Sequence, residues 1–214
     1  MHMSLICRDT EDSNAHHKAK EFAFNVLKTN FSDWSTTCGL HHFFIGRKGI
    51  IKGELVETIL DISFFEKLDL PDVMLHFNSY KYGGRIPDFV LNVLSYSTWR
   101  VDLVENVDLL KYLDIQVYVV YTPFKTITSD LYYPPFLRVY LLNEDGSYKQ
   151  IELRNETLTE GGVINEKNII DISDRVPFRI GLMKLKTKVD EKYPLYQVIF
   201  LDPSDPKILE PETS

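Results

Sequence analysis

The sequence is short of the features that place a chain in a special class. Cysteine occurs twice, as Cys7 and Cys38, too few for a disulfide scaffold and with no zinc-ligand spacing. No apolar run approaches the ~18 residues of a membrane-spanning helix, and the apolar part of the opening Met1–Asp9 segment is too short for a signal peptide. The formal sequons at Asn30 and Asn155 therefore carry no expectation of glycosylation. Glycine and proline number ten each in 214 residues, which excludes a collagen-like or low-complexity chain. Internal repeats and coiled-coil heptads are also missing. Positive charge is in deficit: 24 Lys and Arg stand against 31 Asp and Glu, a net charge of −7. That balance argues against non-specific nucleic-acid binding, which depends on Lys and Arg neutralising phosphates. What is present is a 44% apolar and 13% aromatic composition, enough for a chain of this length to bury a substantial core. The expectation is a cytoplasmic protein that does not span a membrane.

Hydrophobic periodicity assigns the elements. Ala15, Ala19, Phe22, Ala23, Val26 and Leu27 follow helical spacing behind the capping residues Asp12, Ser13 and Asn14, with Lys28 complementing the dipole in the last turn. Short aromatic and β-branched runs at 40–45, 56–62 and 73–77 read as strands. Phe89–Leu94 is apolar except for Asn92, the pattern of a strand buried on both faces. Ser95, Ser97 and Thr98 can cap a second helix, in which Val101, Val104, Val107, Leu110 and Leu113 recur at every third position. Ile115–Tyr121 is another buried strand. Strand, helix and strand within about 30 residues suggest a βαβ unit with parallel strands. Beyond Pro123, Asp145-Gly146 marks a hairpin, 155–167 reads as a loop, and 178–188 and 195–201 read as strands. The expected architecture is α/β: one domain over 1–214, with a mixed-sheet core at about 15–122 flanked by helices and an antiparallel C-terminal extension at about 135–201.

Few residues stand out chemically. The adjacent pairs His16-His17 and His41-His42 lack the i, i+4 spacing of helical metal ligands and read as ordinary surface or half-buried histidines. Gly46-Arg47-Lys48-Gly49 is a basic turn without phosphate-loop spacing. Ser95 and Ser97 lack a nucleophile-elbow context. Asn92 is the notable residue, because a polar group inside an apolar strand must be hydrogen-bonded.

The stretch Leu70-Pro71-Asp72-Val73-Met74-Leu75, then Pro87-Asp88-Phe89-Val90-Leu91-Asn92-Val93-Leu94-Ser95-Tyr96-Ser97-Thr98, then Asp102, Leu110 and Ile115–Val120, resembles the Uma-type restriction endonucleases. Their fold is similar to that of the PD-(D/E)XK nuclease superfamily. The C-terminal Phe178–Leu182 and Lys207–Glu212 also resemble the close of a subgroup of that family. The resemblance implies a restriction-endonuclease-like fold and a Mg²⁺-dependent endonuclease acting on DNA, with homodimerisation by analogy. Two carboxylates would hold the ion, which activates water and polarises the phosphate. In that alignment Asp72 matches the first metal carboxylate and Asp102 matches an acidic position on the helix. Asn92 stands where the family has its metal-binding Glu, and Asn106 where it has its Lys. The catalytic set expected from the resemblance is therefore Asp72, Asn92 and Asn106, with Asp72 and Asn92 at the metal. The two amide substitutions predict weak or absent Mg²⁺ binding and lost catalysis, since removing one stabilising group often costs ~10²–10³ in rate. Glu105 and Glu21 are candidate replacements. The alternative expectation is a non-catalytic nuclease-fold binding or regulatory protein.

Overall fold

The computed structural model describes residues 14–71, 73–95, 97–123, 135–185 and 195–212. Helix α1 spans Asn14–Asn30. Strands β1 (Trp34–Ile45) and β2 (Leu55–Glu66) form a long hairpin, and β3 (His76–Asn78) returns to the far side of β1. Next come β4 (Phe89–Val93), a π-helical turn at Val101–Glu105 that runs into α2 (Asn106–Tyr112), and β5 (Val117–Tyr121). A second hairpin pairs β6 (Leu137–Leu142) with β7 (Tyr148–Leu153) across Asp145-Gly146, where Gly146 adopts φ +80°. The described strands close with β8 (Ile169–Asp171), β9 (Arg179–Lys184) and β10 (Tyr196–Leu201).

Seven of these strands make one mixed sheet in the order β3-β1-β2-β4-β5-β6-β7, and β10-β9-β8 make a separate antiparallel sheet. Strands β4 and β5 run parallel, with Phe89 opposite Val117 and Val93 opposite Tyr121, as a helical crossover requires. The molecule is α/β, with antiparallel C-terminal strands beside a mixed sheet. Strand β8, just beyond the 155–167 loop, adds an edge to the smaller sheet. The loop before it carries the Leu158–Ile164 bridge.

The large sheet is covered on both faces at its central strands β4 and β5. Helix α1 and the small sheet enclose one core, where Phe178 meets Phe89 at 5.2 Å, Phe200 at 5.1 Å and Phe64 at 5.9 Å between ring centroids. Such ring pairs add ~0.5–1.5 kcal/mol each beyond their buried area, so Phe178 fastens the small sheet to the large one. The opposite core is closed by the α2 region through Leu103, Leu110 and Leu113 against Val90, Tyr118 and Val120. Helical burial differs here from the every-third-residue reading. Val101 and Val104 are 40% and 52% exposed, whereas Asp102, Asn106 and Leu110 turn inward. A strict period of three drifts around a helix of 3.6 residues per turn, and the positions i, i+4 and i+8 from Asp102 hold the buried stripe.

Candidate functional site

The site begins where the main sheet comes apart. The β2–β4 ladder pairs Phe64 with Phe89, Ser63 with Val90 and Ile62 with Leu91, and stops there. On the other side of β2, the β1 register passes from Cys38–Ile62 to Leu40–Leu60 around Gly39, whose φ is +59°. Strand β2 changes face at this gap in the pairing: Ile62 belongs to the α1-side core and Leu60 to the α2-side core, although residues two apart in a regular strand share a face. The residue at the switch is Asp61.

Two side chains bridge the gap left by the ladder. The Asp61 backbone N–H donates to Asn92 Oδ1 at 3.1 Å, and the Val93 N–H donates to Asp61 Oδ2 at 2.8 Å. The other end of the Asn92 amide, Nδ2, donates to Asp102 Oδ1 at 2.7 Å. Because a backbone N–H can only donate, the orientation of the Asn92 amide is fixed by its partners. Asn106 Nδ2 donates to the same Asp102 oxygen at 3.2 Å, and Asn106 Oδ1 accepts from Thr58 Oγ1 at 3.3 Å. Thr98 Oγ1 donates to Asp102 Oδ2 at 2.9 Å. Ser95 Oγ accepts from the Thr98 N–H at 3.1 Å, in the turn that leads into the helix carrying Asp102. Tyr118 on β5 donates its hydroxyl to the Asp102 carbonyl at 2.7 Å and pins the π-helical turn to the sheet.

Helix α1 places a lysine and a histidine beside Asp61. Lys20 Nζ lies 3.6 Å from Asp61 Oδ1, with the lysine side chain 1% exposed, and His16 Nε2 lies 3.4 Å from Asp61 Oδ2 and 2.6 Å from the Val93 carbonyl. His16 and His42 are buried, contrary to their reading as surface or half-buried residues. Both sit on core-facing rows, and His42 Nδ1 donates to the Leu40 carbonyl at 2.9 Å. Glu21, a candidate replacement carboxylate, faces solvent; its neighbour Lys20 turns inward.

These groups border a cleft of about 630 Å³. Asp61, Asn92, Thr98, Asp102 and Asn106 line it, together with Glu57, Glu105 and His41. Burial pushes the Asp102 carboxyl up to about 6, the Asp61 charge reinforces the rise, and the hydrogen bonds from Asn92, Thr98 and Asn106 oppose it.

The structure thus joins two of the three residues singled out from sequence: Asn92 and Asn106 meet at Asp102. Asp72 lies outside the described residues. Asp88 of the second Pro-Asp pair is at the opposite end of β4, where its Oδ2 accepts from the Glu66 N–H at 2.8 Å. Asp61, Lys20 and His16 escaped the sequence reading. Asp61 could have been found by the criterion that flags Asn92, a polar residue between apolar strand neighbours. Lys20 and His16 share the inward row of α1 with Ala23 and Leu27.

The magnesium ion implied by the family resemblance can be tested against these donors. Mg²⁺ demands near-octahedral oxygen ligands at about 2.1 Å. The Asn92 oxygen is occupied by a backbone N–H and its nitrogen faces Asp102. Asp102 Oδ1 already accepts two amide hydrogens, and Asp61 is engaged by Val93, Lys20 and His16. Among the described residues no group of three or more His, Cys, Asp or Glu is placed to hold a metal ion. The described donor set does not fit a resident Mg²⁺.

No family model matches the chain, and no curated protein matches it. Among solved structures it is similar to a candidate nuclease belonging to DUF820 from Anabaena variabilis ATCC 29413, at 15% identity and a TM-score of 0.45, covering 66% of this chain and 68% of that one. None of the described helices is long and apolar enough to cross a membrane.

Proposed function

We propose that this chain is a nuclease-fold binding protein that does not hydrolyse phosphodiesters. The observation that carries the reading is the Asn92 amide, both ends of which are spent inside the protein, between the Asp61 backbone and the Asp102 carboxylate. In a metal-dependent nuclease these positions would turn oxygens toward a divalent ion. Here amides, a hydroxyl, Lys20 and His16 surround the same carboxylates. Four carboxylates, Glu57, Asp61, Asp102 and Glu105, line the cleft; without a bridging cation they repel a phosphate backbone. Any DNA contact implied by the sequence resemblance would then use surface outside the cleft.

The test is a plasmid cleavage assay in Mg²⁺ or Mn²⁺, run beside DNA binding measured by fluorescence anisotropy. The expected result is no nicking by the wild type, and nicking gained when Asn92→Glu and Asn106→Lys are combined. Cleavage by the wild type that disappears in Asp61→Asn or Asp102→Asn would overturn the proposal. DNA binding without cleavage would identify the partner and leave the absence of hydrolysis standing.

A further inference from the structure

Strand β3 runs parallel to β1 at the edge of the large sheet, and their register sets His76 directly opposite His41. Residues in register on paired strands project to the same face. Two contacts identify that face. The His76 ring meets Phe43 edge-on at 5.5 Å between centroids, and Phe43 is two residues along β1 from His41. His41 Nδ1 is hydrogen-bonded to Glu57 Oε1 at 2.7 Å, and Glu57 on β2 is the register partner of Phe43. His41, His76 and Glu57 therefore share one open sheet face. The His41 and Glu57 side chains are 50% and 54% exposed, and His76 is also exposed. His41 reaches the rim of the cleft.

The Glu57 contact gives His41 a defined chemistry. A carboxylate beside Nδ1 holds the proton there and leaves the lone pair on Nε2, the arrangement by which carboxylates orient metal-binding imidazoles. The neighbouring strand supplies a second imidazole at the matching position. We propose that His41 and His76 form a cross-strand pair that binds a divalent transition-metal ion such as Zn²⁺ or Ni²⁺, with Glu57 as the positioning residue and water completing the coordination. Two imidazoles favour Zn²⁺, Ni²⁺ or Cu²⁺ over Mg²⁺. The two imidazoles come from exposed side chains on adjacent strands.

Calorimetric titration of the full chain with ZnCl₂ tests the proposal, using the wild type, His41→Ala, His76→Ala and Glu57→Gln. The expected result is one Zn²⁺ per chain that excess Mg²⁺ does not displace. Either alanine variant should lose at least about tenfold in affinity, and Glu57→Gln about tenfold, as orienting carboxylates typically contribute. Cu²⁺ should broaden NMR signals around His41 and His76. No Zn²⁺ binding by the wild type, undiminished binding in either alanine variant, or broadening centred elsewhere would each overturn it.

Discussion

Asp102→Asn should stabilise the protein, and by an amount that depends on pH. The wild-type carboxyl rises from 3.8 to about 6 in the folded state, so the native protein holds this proton more tightly than the unfolded chain does. Protonated Asp102 thus contributes stability that is fully present below the unfolded value and is lost as pH rises through about 6. At 1.36 kcal/mol per unit the cost of ionisation reaches about 3 kcal/mol at pH 8. Asparagine preserves the geometry. Its Oδ1 can still accept from Asn92 and Asn106, and its amide nitrogen can donate to Thr98 Oγ1, whose hydroxyl is 2.8 Å from Ser95 Oγ. The variant's advantage should grow by about 2.5 kcal/mol between pH 4 and pH 8, most of it appearing between pH 4 and 6. At pH 8 this corresponds to a rise in Tm of roughly 5–10 °C for a chain of this size. Urea denaturation of both proteins at half-unit pH steps measures the growth directly, and any pH-independent packing difference cancels from it. A constant stability difference across the series, or one that shrinks as pH rises, would refute the account of Asp102 as a buried carboxylate held at a cost.

Two further changes probe the same region. His42 is the opposite case: burial holds its imidazole down at about 4, so its contribution is present above the unfolded value of 6.5 and lost as pH falls through about 4. His42→Gln should remove about 3 kcal/mol of acid destabilisation between pH 7 and pH 4, read from the same denaturation series; a slope identical to wild type would refute it. Asn92→Ala strips the bridge between β2 and the Asp102 turn, leaving the Asp61 N–H and one Asp102 contact without their partner. It should cost about 2–4 kcal/mol, and scanning calorimetry showing an unchanged Tm would contradict the bridging role.

The legible parts of the fold were those written in local pattern. The apolar run 89–94, the helical spacing of 15–27 and the Asp145-Gly146 turn each appear where their residues point. The second helix was legible as a helix but not in orientation. Its valines at every third position look like a stripe, yet Leu103 and Leu110 do the packing while Val101 and Val104 stay outside. The π-helical turn that helps set this rotation leaves no local mark in the sequence. Of the site, Asn92 and Asn106 were legible because amides at those places contradict their surroundings or the family pattern. Asp61 interrupts an apolar strand as Asn92 does, but its role arises from Gly39 and the end of the β2–β4 ladder, a three-strand event that the local pattern does not reveal. Lys20 was invisible for the complementary reason: a lysine on an amphipathic helix reads as solvated until a carboxylate is found opposite it.

Asp102 and His42 carry opposite pH slopes over much the same interval, so the wild type can look nearly flat in acid while two buried groups each cost or contribute about 3 kcal/mol. That cancellation hides a preference. Every structural duty of the Asp102 carboxylate, accepting from two amides and anchoring Thr98, can be met by an amide at lower cost. A group whose packing role is so replaceable is held ionised beside Asp61 at the stability cost that the variant removes. Natural proteins carry such costs chiefly where function needs them. The Asp102→Asn variant therefore tests the cost in one protein: a stability gain that grows from pH 4 to pH 8 assigns it to ionisation of this carboxyl, whereas a pH-independent gain assigns it to packing.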